Sequence, residues 1–216
     1  MYNILGIGHP RTGTSFTSKL FRLWGLDVGH ERLFSDGMVA WQMIAESGLN
    51  SGPYPYIRPL EEYHEGVLYK STIKQRPEYK YLIYNVRNPY YSIPSIVYTE
   101  NTSKSSLNFR QAVLGFPLCD NPIETAILSL LAYEEKAIEL HPDFVFRIEH
   151  DQATLYEFLA KNNLGVEYVE HNKKVNARLH KNFSEMVAEH GLPSSQTQEL
   201  INKFCVKHRY EKVFKY

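Results

Sequence analysis

The chain reads as an α/β protein of three layers, a central and mostly parallel sheet flanked by helices, and three observations predict it. Short apolar runs alternate with helical repeats along the sequence, the signature of strand–helix–strand units. Residues 80 to 86 are apolar almost throughout, as a parallel strand covered on both faces requires. Ile4-Leu-Gly-Ile7 leads through a glycine-bearing turn into a helix opening at Thr14 and Ser15. That junction aims backbone N–H groups and the positive end of a helix dipole at one spot, which suits phosphate or sulfate.

The elements follow in order. Residues 3 to 8 form the first strand. Residues 14 to 25 form a helix with Phe16, Leu20, Leu23 and Trp24 on one face, ended by Gly25. Leu26-Asp-Val28 begins a short second strand that closes at Gly29. Asp36 is placed to cap a helix over roughly 37 to 47, through Met38, Trp41, Ile44 and Ala45. Residues 48 to 62, rich in Gly, Pro and Tyr, read as irregular loop, and Val67 to Tyr69 as a strand. After the central strand, residues 90 to 98 form a helix interrupted near Pro94. The polar stretch within 101 to 121 reads as a mobile segment and candidate substrate lid. Residues 122 to 140 are the clearest helix, 144 to 149 another strand, and helices follow at roughly 151 to 161 and 194 to 206.

Composition narrows the functional classes. The 216 residues suffice for a single domain over 1–216 with a substantial core. With 43% hydrophobic and 22% charged residues, the chain falls among ordinary globular proteins. Its formal net charge of +0 offers no broad surface for nucleic acid or membrane, so a charged ligand has to be met by a local cluster. Cys119 and Cys205 are the only cysteines, which gives neither a disulfide framework nor zinc-ligand spacing and points to a reducing, cytoplasmic setting. No stretch approaches the length of a membrane span.

The loop itself is unusual. Nucleotide triphosphatases place Gly, four residues, then Gly-Lys-Ser/Thr here. Gly8 and Gly13 keep that spacing, but Thr14 stands where the lysine belongs and the cation sits inside the loop as Arg11. Such a site holds an anion but is poorly built for magnesium–ATP chemistry. Pro10-Arg-Thr-Gly-Thr-Ser15 resembles the 5′-phosphosulfate loop of sulfotransferases that use 3′-phosphoadenosine 5′-phosphosulfate (PAPS). Tyr81 to Ser95 resembles their 3′-phosphate segment, an Arg at a strand end and a Ser eight residues on, here Arg87 and Ser95. Val145-Phe-Arg-Ile-Glu-His-Asp151 is a weaker match to their late strand ending in Arg-Tyr-Glu-Asp. The three segments span residues 4 to 151 in family order. The Arg-Lys-Gly motif of the cytosolic branch is absent, and the arginine-bearing loop is closer to tyrosylprotein and bacterial carbohydrate sulfotransferases.

The resemblance implies a P-loop-type fold, PAPS as sulfuryl donor, 3′-phosphoadenosine 5′-phosphate (PAP) as product, and no metal. Golgi members carry an anchor and stem before the catalytic domain; the Met1 start and immediate strand lead us to expect a soluble enzyme of bacterial or viral type. Arg11 would face the 5′-phosphate and the leaving oxygen, while Thr12, Gly13, Thr14, Ser15 and Phe16 supply backbone donors and hydroxyls. Arg87 and Ser95 would hold the 3′-phosphate at a separate, second pocket. Phe16 matches a position that often meets adenine, although a core role on the first helical turn fits it equally. Arg178, in the basic stretch Lys173 to Lys181, could fold over the phosphates, and a solvated face is the competing reading.

Sulfuryl transfer also needs a base for the acceptor hydroxyl. Val28-Gly-His-Glu31 follows the second strand, where strand ends line the ligand crevice. Some relatives with arginine in the loop carry a catalytic glutamate after a glycine here, so Glu31 is placed ahead of His30. His30 remains the alternative because the unperturbed pKa of an imidazole suits proton transfer near neutrality. The residues from Phe34 to His64 and from Asn101 to Cys119 are expected to shape an acceptor pocket, with a carbohydrate or other small molecule as acceptor. A small-molecule kinase with a variant loop, or a non-catalytic nucleotide-binding relative, are the alternatives. The oligomeric state is not legible.

Overall fold

The computed structural model describes residues 1–46, 61–64, 67–69, 73, 75–102, 104–171 and 181–215. Side chains of β1 (Tyr2–Ile7) alternate between two cores: Ile4 joins one, Leu5 and Ile7 the other. Residues 8–13 then lead into α1 (Thr14–Leu23), whose Leu20 and Phe21 share the core of Ile4 with Trp24. Gly25, at φ +91, lets the chain turn back. Next come β2 (Val28–His30), β3 (Arg32–Leu33), β4 (Gly37–Val39) and a 3₁₀ turn over Trp41–Ile44.

The helix expected over 37 to 47 is therefore a strand and a short turn. Two local facts decide this. The Asp36 carboxylate is taken by the Asn3 amide (2.6 Å) and the Asp27 N–H (2.8 Å), so it caps nothing. Gly37, at φ +134, runs so close to β1 that a Cβ would sit 1.8 Å from the Ile4 carbonyl oxygen. That approach inserts β4 between β1 and β2, where Met38 and Val39 are buried. A short apolar run fits a buried strand or a helix equally, and pairing decides.

β5 (Glu61–His64) and β6 (Val67–Tyr69) form a small second sheet with β3. Most of the loop expected over 48 to 62 lies outside the described residues. β7 (Tyr79–Val86) pairs with β1 on the side opposite β4. It leads into α2 (Pro89–Thr102), which runs through Pro94 as one helix; the expected interruption does not occur. The segment expected as a mobile lid contains α3 (Ser105–Leu114), closed by Gly115 at φ +73. Phe109 and Arg110 of that helix are 1% exposed, so it is anchored in the interior.

α4 (Pro122–Glu139) matches its predicted bounds closely. The Asn121 side chain accepts from the N–H groups of Ile123 (2.9 Å) and Glu124 (3.4 Å), and Pro122 takes the first helical position. The same amide donates to the carbonyls of His190 (3.3 Å), Gly191 (3.4 Å) and Leu192 (3.2 Å). Asn121→Ala is expected to lower stability by about 1 kcal/mol, read as a lower urea midpoint with unchanged slope. The chain ends through β8 (Phe144–Arg147), α5 (Gln152–Lys161), α6 (Phe183–His190) and α7 (Ser195–Lys207). α6 was not read from the sequence, although Asn182 and Glu185 form a capping box at its start.

The five main strands lie parallel in the order β2-β4-β1-β7-β8. α1 and α5 cover one face, and α2, α4, α6 and α7 the other. The α/β three-layer architecture is thus as expected. From β1 the chain goes first to one side of the sheet and later to the other. Residues following β1, β4 and β7 therefore meet at the carboxyl ends of the central strands, where open α/β sheets form their ligand crevice. Among the described residues no helix is long and apolar enough to cross a membrane.

Candidate functional site

The loop after β1 is held from both ends. The Gly8 N–H donates to the Tyr133 hydroxyl (3.1 Å), which itself donates to the Trp41 carbonyl (2.9 Å). Thr12 closes the turn by donating to the His9 carbonyl through its N–H (3.0 Å) and its hydroxyl (2.7 Å). Arg11 at φ +78 and Gly13 at φ +90 both adopt left-handed backbone, the geometry of a concave anion cradle. A Cβ on Gly13 would come within 2.7 Å of the Ile148 side chain. The first helical bond is Thr17 N–H to the Gly13 carbonyl (3.0 Å). The N–H groups of Thr14, Ser15 and Phe16 precede it, and Gly13, at the cap position, has no side chain to offer them.

Arg11, Arg87 and Ser95 come together here, in an arrangement that differs from two separate pockets. Arg11 donates through Nε to the Ser95 hydroxyl (2.8 Å), and Arg87 donates through Nη1 to the Arg11 carbonyl (3.1 Å). Ser95 thus lies on the loop arginine, and the three residues form one linked cluster. Glu149 stands 3.8 Å from Arg87 Nε, fixed by the Tyr210 hydroxyl (2.7 Å) and the Asn88 N–H (3.3 Å). Burial pulls the Arg87 guanidinium below its ordinary pKa, and Glu149 works against that shift.

In and beside this cluster, three buried polar atoms make no hydrogen bond. Arg87 Nε, Asn85 Nδ2 and Ser92 Oγ have no hydrogen-bond partner, while Asn85 Oδ1 accepts from the Thr17 hydroxyl (3.1 Å). Buried polar atoms are nearly always satisfied. All three lie at the end of β7 and the start of α2, Asn85 and Ser92 being fully buried. Both amide atoms of Gln42, just beyond β4, and Nε2 of His171 are orphaned as well. The His171 ring tilts over Phe16 with centroids 5.3 Å apart, so Phe16 faces His171 on the rim of the site.

The two base candidates sit at the end of β2 and point differently. His30 Nε2 lies 3.2 Å from the Thr14 hydroxyl, directly on the loop. Glu31, at φ +54, accepts the Trp41 indole N–H at 3.0 Å. In the third predicted segment, Arg147 and Asp151 form an ion pair at the far side of β8, including an Nε–Oδ2 bond of 2.7 Å. Glu149, between them in sequence, reaches Arg87 instead. Arg178 lies outside the described residues.

His9, Trp41, Tyr133 and Glu149 were not read from the sequence as site residues. Tyr133 and Ser129 carried a signal: two polar side chains four residues apart inside the apolar repeat of α4, on its buried face. Glu149 lies within the third resembling segment, Val145 to Asp151, where no role was assigned to it, and His9 carried no signal beyond its neighbours. No family model, no curated protein and no solved structure matches the chain.

Proposed function

We propose that this chain is a sulfotransferase of the PAPS-dependent family, moving a sulfuryl group to a hydroxyl (or amine) of a carbohydrate or other small molecule. One observation carries the reading: Arg11 interlocks with Arg87 and Ser95, more than seventy residues further along the chain, at the phosphate-type loop where the central strands end. The loop N–H groups and Arg11 would hold the 5′-phosphate end. Arg87 and Ser95 would hold the 3′-phosphate; Arg87 Nε makes no hydrogen bond and faces Glu149 at 3.8 Å.

The chain's own residues have three tasks. Arg11 faces the bridging oxygen, where charge accumulates as the sulfur–oxygen bond breaks, and stabilises it electrostatically. Glu31, with His30 as the alternative, takes the acceptor proton. The rigid loop and the Trp41–Glu31 bond keep donor and acceptor in line. PAPS supplies the activated sulfuryl group and needs no metal for its transfer.

Calorimetry with PAP against ADP and AMP tests this reading. PAP is expected to bind far more tightly than either. Arg87→Ala should weaken PAP by about 10- to 100-fold, the worth of a charge-assisted hydrogen bond, and leave ADP nearly unchanged. Equal affinity for PAP and ADP, or tighter ADP binding with magnesium, would sink the assignment.

A further inference from the structure

His9 heads the loop and its ring is fully buried. Its ring joins a chain of polar side chains with an unambiguous direction. Nδ1 lies 2.7 Å from the Pro10 carbonyl, which can only accept, so Nδ1 carries the proton. Nε2 lies 2.9 Å from the Ser129 hydroxyl. That hydroxyl receives Arg110 Nε at 3.0 Å, and a guanidinium only donates. The single hydroxyl hydrogen of Ser129 is therefore left for Nε2. Arg110 is in turn bound to the Glu100 carboxylate and to the Ser106 hydroxyl (3.2 Å).

We propose that His9 is a positioning residue, fixed as the Nδ1–H tautomer by a one-way chain from Glu100 through Arg110 and Ser129, and that it clamps the Pro10 carbonyl and so sets the backbone at Arg11. The groups facing the ring agree. Arg110 from α3 lies one hydroxyl away and opposes a second positive charge. Tyr133 from α4 packs against it in a T-shaped pair, ring centroids 5.6 Å apart. Glu100 from α2 is engaged by Arg110. Burial, then Arg110, hold the His9 imidazole well below its ordinary pKa. The imidazolium form would turn two donors on Ser129 and orphan its hydroxyl hydrogen. The inference rests on the sulfotransferase reading only in taking the loop as the anion site.

Long-range proton–nitrogen NMR spectra of histidine-labelled protein test it directly. The expected result is one histidine with protonated Nδ1 and bare Nε2, unchanged from pH 8 to pH 5, whose signals vanish in His9→Gln. In Ser129→Ala the Pro10 carbonyl still holds Nδ1–H, so the expected change is a displaced Nε2 signal, that nitrogen having lost its donor, and PAP binding weaker by about threefold to tenfold, the worth of one lost hydrogen bond. Should Ser129→Ala fail to fold, the wild-type spectrum and Ser129→Cys, a weaker donor, decide the matter. An Nε2–H tautomer, or a His9 that titrates like an exposed imidazole, overturns the proposal. A fixed Nδ1–H tautomer in protein that ignores PAP would leave the chain standing and remove the donor assignment alone.

Discussion

Glu31→Gln is expected to lower sulfuryl turnover by about 100- to 10,000-fold while PAP affinity stays within twofold or so, the range by which positioned general bases accelerate reactions. The substitution keeps shape and keeps an oxygen for the Trp41 indole, which donates to Glu31 Oε1 at 3.0 Å. What it removes is the lone pair that can take the acceptor proton. The loss should therefore appear in kcat and in kcat/KM together, the mark of an interaction made only in the transition state. Trp41→Phe separates positioning from chemistry. It leaves the carboxylate but removes one of its anchors, and a loss of about 10- to 100-fold is expected, a hydrogen bond to a charged group being worth ~1.5–3 kcal/mol. His30→Ala is the decisive contrast. His30 touches Thr14 of the loop at 3.2 Å, so its removal should weaken PAP more than it slows transfer. Turnover abolished by His30→Ala and spared by Glu31→Gln would exchange the two roles. Equal turnover in all three variants and wild type would remove the base from this strand end altogether.

The fold was legible where local and global signals agreed. β1, α1, β7, α4 and α7 lie within a few residues of their expected spans because periodicity, caps and glycines point the same way there. It was not legible where packing overrode propensity. Residues 37 to 44 carry an apolar pattern that either state accepts, and the contact of Gly37 with the Ile4 carbonyl selects the strand. Pro94 stays within α2, and Ile93, Ile96 and Val97 around it are buried in the core. The polar stretch from Asn101 looked loop-like, yet Arg110 inside it is drawn into the interior by Glu100 and Ser129. Of the candidate site, motif spacing names Arg11, Arg87 and Ser95, and the fold brings the three together. Their partners were not legible: the Ser95 hydroxyl meeting Arg11, and Glu149 meeting Arg87, are consequences of strand order and helix placement that no spacing encodes.

Arg110→Ala should be the most damaging single change to stability, lowering it by about 3–5 kcal/mol at neutral pH, the usual result of breaking a buried ion pair from one side. Arg110 is 1% exposed and Glu100 7%, and truncation leaves the carboxylate buried without its cation and Ser129 without its donor. Burial already raises the Glu100 pKa above the usual carboxylate range even with Arg110 in place. A carboxyl raised in the folded state binds more protons there than in the unfolded chain, so its contribution to stability falls as pH rises between the two pKa values. Without Arg110 that window extends further upward. The defect of Arg110→Ala should accordingly be smaller at pH 5 than at pH 8, measured as the difference in urea-derived unfolding free energy from wild type. Arg110→Met combined with Glu100→Leu, which removes both charges and keeps volume, should recover most of the lost stability. Recovery in that double variant with PAP affinity still reduced would show that the ion pair exists to hold the loop through Ser129 and His9 rather than to hold the fold. A defect that is independent of pH and unrelieved in the double variant would mean instead that Arg110 acts through packing of its side chain alone.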